Sequence, residues 1–127
     1  MSILPSHLFY TDTHLWVFID AEGYATIGLT DFAQETLGDV VEVFLPPENA
    51  EFEQGLEMMS IAAERNHFQI HAPLSGEVVE VNTELEAMPR LINDEPYDAG
   101  WLVKMAPHDS AELDDLMSDE EYAGLIE

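Results

Sequence analysis

Chemistry in this sequence would have to come from a short set of side chains. There is no cysteine, which removes disulfides, thiolate nucleophiles and Cys-ligated metal clusters. Lys104 is the one lysine, with Arg65 and Arg90 the other basic residues. An amine matters because lysine, with a pKa of about 10.4, keeps a neutral fraction that can accept an acyl group. His67 and His71 lie four apart, and in an extended segment both imidazoles face one side, as zinc or copper ligands would. At roughly 3.3 Å per residue their backbones stand about 13 Å apart, too far for direct chelation without a bulge. With 27 Asp and Glu in the chain, any carboxylate pair could be named an acid and a base, so none is informative. The sequence carries no Gly-rich phosphate loop and no Ser-His-Asp order with supporting motifs.

The same acids set the electrostatics. Against 3 Lys and Arg they give a formal net charge of -24, which repels phosphate backbones and anionic lipid, so neither nucleic acid nor membrane is expected as a partner. Two readings of the acid coat stand: it keeps a monomer soluble, as in a salty cytoplasm, or it docks enzymes with basic surfaces. No apolar run approaches the roughly 18 residues of a membrane span, and Met1 to Pro5 lacks a basic-then-apolar leader, so a cytoplasmic location is expected. At 46% hydrophobic residues the chain can bury a core, and 127 residues fit a single domain spanning 1–127.

The elements that must position these groups are mostly strands. Leu15 to Ile19 and Tyr24 to Leu29 are β-branched or aromatic runs around the turn Asp20-Ala21-Glu22-Gly23. Thr30 to Gly38 opens with an N-cap type and closes on Gly, predicting a short helix with Phe32 and Leu37 inward. Asp39 to Leu45 alternates Val41, Val43 and Leu45 against Val40, Glu42 and Phe44, and Pro46-Pro47 ends that strand. Glu57 to Ala62 and Phe68 to Ala72 flank Ala63 to His67, a projecting hairpin, and Gly76 to Asn82 gives another strand. A polar loop through Glu84 and Pro96 leads to a last strand, Trp101 to Met105. Ser110 to Met117 and Ser118 to Ile126 each start with Ser followed by acids, predicting two C-terminal helices that pack Leu113, Leu116, Tyr122 and Leu125 on the body. Many short strands with few helices predict a mainly β barrel or sandwich.

Several of these segments, in order, resemble one family. Ile27 to Asp39, His14-Leu15-Trp16, Ala72-Pro73-Leu74-Ser75-Gly76-Glu77, Asn93-Asp94-Glu95-Pro96-Tyr97 and Gly100-Trp101 are similar to motifs of glycine cleavage H proteins. The resemblance implies a barrel-sandwich hybrid fold of the biotinyl and lipoyl carrier type. It also implies a carrier rather than an enzyme: the family's lipoyl arm takes an aminomethyl group from a pyridoxal-phosphate decarboxylase, presents it to a tetrahydrofolate-dependent aminomethyltransferase, and is reoxidised by a flavoprotein.

The resemblance places the family's lipoylated lysine seven residues before Ala72, and Arg65 stands there. Ala62-Ala63-Glu64-Arg65 occupies the place of the family's Glu-Ser-x-Lys, so the departure extends beyond one residue. A guanidinium stays protonated, with a pKa above roughly 12, and its lone pairs are delocalised, so it accepts no acyl group. No lipoyl cofactor is therefore expected on this chain. Lys104, inside the last strand, is poorly placed for a ligase that acts on exposed turns. Two readings of the tip remain open. Glu64, Arg65, Asn66 and His67 could dock glycine cleavage or lipoate-linked enzymes, the guanidinium offering forked hydrogen bonds, or Arg65 could be a solvated turn residue. An interaction or ligand-binding module recruited from the carrier scaffold, with no role in glycine cleavage, is the alternative function.

Overall fold

The computed structural model describes residues 8–64 and 66–126; Met1 to Pro5, read above for a leader, and Arg65 lie outside the described residues. β1 (Phe9–Tyr10) pairs with β2 (Leu15–Ile19), which turns back into β3 (Ala25–Leu29). Asp20 shapes that turn: its Oδ1 accepts the N–H groups of Glu22 and Tyr24 at 2.9 and 3.0 Å, the local bonding that makes Asp a turn residue. Side chains alternate along β2, so Leu15 and Val17 enter the main core while Trp16 faces a second cluster outside the sheet.

The expected helix is α1 (Asp31–Leu37). The Thr30 hydroxyl accepts the Ala33 N–H at 3.3 Å, and Gly38 closes the helix at φ 84, where a side chain would be strained. Ala33 and Leu37, four apart, form the buried face. Phe32 sits one step off that face, 36% exposed, with its ring 4.7 Å from that of His14; the inward placement expected from sequence is corrected.

β4 (Val40–Phe44) also departs from strict alternation. Val40 pairs with Ala63 and Glu42 with Ala62, which leaves Val41 as the extra residue of a bulge. Val40 and Val43 are therefore both buried, and Val41, expected beside Val43, is 56% exposed. β5 (Glu51–Phe52), β6 (Glu57–Ala63), β7 (His67–His71) and β8 (Gly76–Val81) follow.

The stretch expected as a polar loop contains α2 (Glu84–Ala87) and α3 (Leu91–Asp94), held down by buried Leu85, Leu91 and Ile92. The last strand, β9 (Val103–Pro107), starts two residues later than expected. The cause is buried Asn82, whose amide donates to the carbonyls of Ala99 and Trp101 at 2.8 and 2.7 Å, drawing Trp101 out of the ladder. The two terminal segments are helical, the first as a 3₁₀ turn (Ser110–Asp115) and the second as α4 (Asp119–Ile126). Tyr122 of α4 is fully buried and stacks on Tyr10 with centroids 4.9 Å apart, but Leu125 is 49% exposed, contrary to the expected stripe.

The strands form two antiparallel sheets, β1-β2-β3-β9-β8-β5 and β4-β6-β7. Ile27, Leu29, Val103 and Met105 from the first and Val43, Ile61 and Ile70 from the second share one core. This mainly β, two-sheet arrangement is the barrel-sandwich hybrid. Among the described residues no helix is long and apolar enough to cross a membrane.

Candidate functional site

The site expected from sequence is the end of the β6–β7 hairpin. The two strands pair from Glu57 opposite His71 to Ala62 opposite His67, and the Ala63 N–H donates to the Asn66 carbonyl at 2.9 Å. That last bond brings Glu64, Asn66 and His67 together at one end of the hairpin, all three exposed.

The hairpin is braced near its tip. The Glu64 N–H donates to the Asp39 carbonyl at 3.0 Å, which ties the tip to the start of β4. Asp39 also lies 3.6 Å from Arg90, an exposed pair that adds little by itself. Asn93, from α3, completes the brace: its Oδ1 accepts the Val40 N–H at 2.8 Å, and its Nδ2 donates to the Gly38 carbonyl at 2.9 Å and to Gln34 Oε1 at 3.0 Å. One side chain thus satisfies the end of α1 and the start of β4 together. On the outer face of the small sheet the Phe44 ring lies 6.2 Å from His67, leaving an apolar group beside the tip.

Among its described residues the tip carries no amine and no thiol. His67 and His71 both project from β7, and no cluster of three or more His, Asp or Glu able to hold a metal exists among the described residues. Lys104 sits on the other sheet, in β9, with its Nζ 3.5 Å from Asp20 and 5.2 Å from the Tyr24 ring centroid. Against some desolvation of its own, Asp20 is held below the usual carboxylate range by the N–H groups of Tyr24 and Glu22 and by Lys104. The amine therefore lies in an ion pair against an aromatic ring, beside the β2–β3 turn and on the other sheet from the hairpin tip.

Sequence reasoning missed Asn93, Asp39 and Phe44 as parts of the site's surroundings. Asn93 had a signal, since it opens Asn93-Asp94-Glu95-Pro96-Tyr97, but its three hydrogen bonds depend on contacts 53 to 59 residues away. The other motif residues are structural too. The Trp16 indole N–H donates to the Pro96 carbonyl at 2.8 Å, and the Asp31 N–H donates to the Tyr97 hydroxyl at 3.0 Å. Glu112 grips Ser75 through both carboxylate oxygens, at 2.7 Å to the N–H and 2.8 Å to the hydroxyl, and a Cβ on Gly76 would overlap the Ala106 carbonyl. His14, at φ 69, bonds the Tyr122 hydroxyl at 2.8 Å through Nδ1, and that hydroxyl lies 2.7 Å from the Thr30 hydroxyl. Burial lowers the His14 pKa, opposed by nearby Asp12, and burial pushes the Tyr122 hydroxyl up to about 12.

Comparison with known proteins matches this architecture and these motifs. The family described as Glycine cleavage H-protein matches residues 8–127. The chain is 58% identical over 127 residues to the "Glycine cleavage system H protein" of Hydrogenovibrio crunogenus, covering 100% of this chain and 98% of that one. It is 48% identical over 118 residues to the protein of the same name from Vibrio campbellii, covering 93% and 94% of the two chains. Among solved structures, the crystal structure of a glycine cleavage system H protein from Mycobacterium marinum superposes with a TM-score of 0.87 at 34% identity, covering 95% of this chain and 97% of that one.

Proposed function

The chain belongs to the glycine cleavage H-protein family, and on that premise we propose that it acts without a lipoyl group, docking glycine cleavage or lipoate-linked enzymes through Glu64, Arg65, Asn66 and His67. H proteins are lipoyl carriers that work with the glycine cleavage enzymes, and the chain is accordingly not itself a catalyst. The observation that carries the non-lipoylated reading is Arg65, which stands seven residues before Ala72, where the family resemblance places the acceptor lysine. A guanidinium cannot be acylated, and the one lysine is held in an ion pair on the opposite sheet. Docking survives the loss of the amine because it needs shape and charge only: a braced hairpin, a cationic apex and an acidic body with net charge -24. The acidic body favours enzymes with basic surfaces, and its self-repulsion favours a monomer, working in the cytoplasm as a single domain beside a carrier that keeps its lysine.

The test is competition. In a reconstituted system of decarboxylase, aminomethyltransferase and a lipoylated H protein, added chain should inhibit turnover saturably, and more lipoylated carrier should relieve it. Arg65→Ala and His67→Ala should each weaken the inhibition several-fold, a cost of about 1 kcal/mol. Unaltered turnover at a large excess of the chain would overturn the docking role.

A further inference from the structure

A second concave site lies on the outer face of the six-stranded sheet and shares no residue with the tip. It is a cavity of about 380 Å³, within the size range of small-ligand sites. Its floor is a row of residues paired across four strands: Phe18 opposite Thr26, Thr26 opposite Lys104, and Lys104 opposite Glu80. Trp16, Tyr97 and Trp101 line it as well, with Asp98 beside them.

The charges of this cavity are unequal. Lys104 already has a counter-ion in Asp20 at 3.5 Å, whereas among the described residues neither Glu80 nor Asp98 is in a salt bridge. Both carboxylates are exposed. The cavity thus joins aromatic side chains to surplus negative charge. Aromatic rings attract a cation through their quadrupole, carboxylates attract it by charge, and alkyl groups on the cation shed water against the rings. A free anion would meet Glu80, Asp98 and a chain of net charge -24. A neutral ligand would cover the two carboxylates without answering their charge.

We propose that this cavity binds a small organic cation with an alkylated nitrogen. The site is independent of the tip and of the function proposed for it.

The chain's two tryptophans, Trp16 and Trp101, both line the cavity, so intrinsic fluorescence reports on it directly. Choline is the probe, 3,3-dimethyl-1-butanol its neutral isostere and 3,3-dimethylbutyrate the anionic one, with potassium at matched ionic strength as the control for the acid coat. The expected result is a saturable change with choline at a Kd on the order of 1 mM, with about tenfold weaker binding of the alcohol and no response to the carboxylate or to potassium. Glu80→Gln and Asp98→Asn are surface changes that keep the fold, and each should weaken choline several-fold. Equal binding of choline and the alcohol, preference for the carboxylate, a matching response to potassium, or full choline binding by both variants would each overturn the proposal.

Discussion

The Asn93 side-chain oxygen accepts the backbone N–H of Val40 at 2.8 Å, joining α3 to the first residue of β4. Val40 is 1% exposed, so this N–H has no water to turn to. The next residue back, Asp39, receives the Glu64 N–H from the tip, so the bond from Asn93 bears on the site as well as on the fold.

Replacing Asn93 by Ala would orphan that buried N–H and two acceptors, the Gly38 carbonyl and Gln34 Oε1. The expected cost is about 1 to 3 kcal/mol, measured by urea unfolding. Amide exchange should also rise at Glu64, whose partner residue Asp39 is loosened. A change below about 0.5 kcal/mol would contradict the bracing role assigned to Asn93.

Gly28 pairs with Trp16 across β2 and β3, and a Cβ on Gly28 would stand 2.5 to 2.6 Å from three atoms of the indole. The ring cannot swing away freely, because its N–H is bonded to Pro96. Gly28→Ala should therefore destabilise the chain by about 1 to 3 kcal/mol, the usual range for overpacking, and shift tryptophan emission as the indole is displaced. Unchanged stability and emission would show that the contact yields without strain.

His14 gives a pH dependence with a definite sign. Its folded pKa lies below the unfolded value of about 6.5, because burial disfavours the charged ring. Between the two values the unfolded chain binds more protons, so the His14 contribution is complete above the unfolded value and is lost as pH falls through the folded one. The acids around it also titrate, so the measurement is the difference between wild type and His14→Gln in unfolding free energy across about pH 7.5 to 5. Wild type should lose relative stability on acidification; a flat difference would contradict the burial of a neutral ring.

Arg65→Lys asks whether the tip lost only its amine. The variant, co-expressed with a lipoate ligase, should gain a lipoyl or octanoyl group if the hairpin alone is recognised. An unmodified variant would locate part of the recognition in Ala62 and Ala63, which stand where the resemblance places the family's Glu-Ser.

The sequence was most legible where a local pattern decides. Thr30 and Gly38 bound α1 because capping is set by neighbouring residues, and Asp20 to Gly23 turns because the Asp side chain bonds its own backbone. It was least legible where distant contacts decide. Val41 leaves the core because a bulge against β6 resets the register, and Trp101 leaves its strand because Asn82 captures its carbonyl. The tip was proposed through its resemblance to a family motif. Its brace was not anticipated, since Glu64 reaches Asp39, and Asn93 reaches Gly38 and Val40, only after the chain has folded.

The most direct measurement is the intact mass of the wild-type chain after co-expression with an active lipoate ligase and excess lipoate. The account predicts the mass of the unmodified polypeptide, because Arg65 stands in sequence where the resemblance places the acceptor lysine and Lys104 is paired with Asp20. A stoichiometric lipoyl or octanoyl adduct at any residue would contradict it.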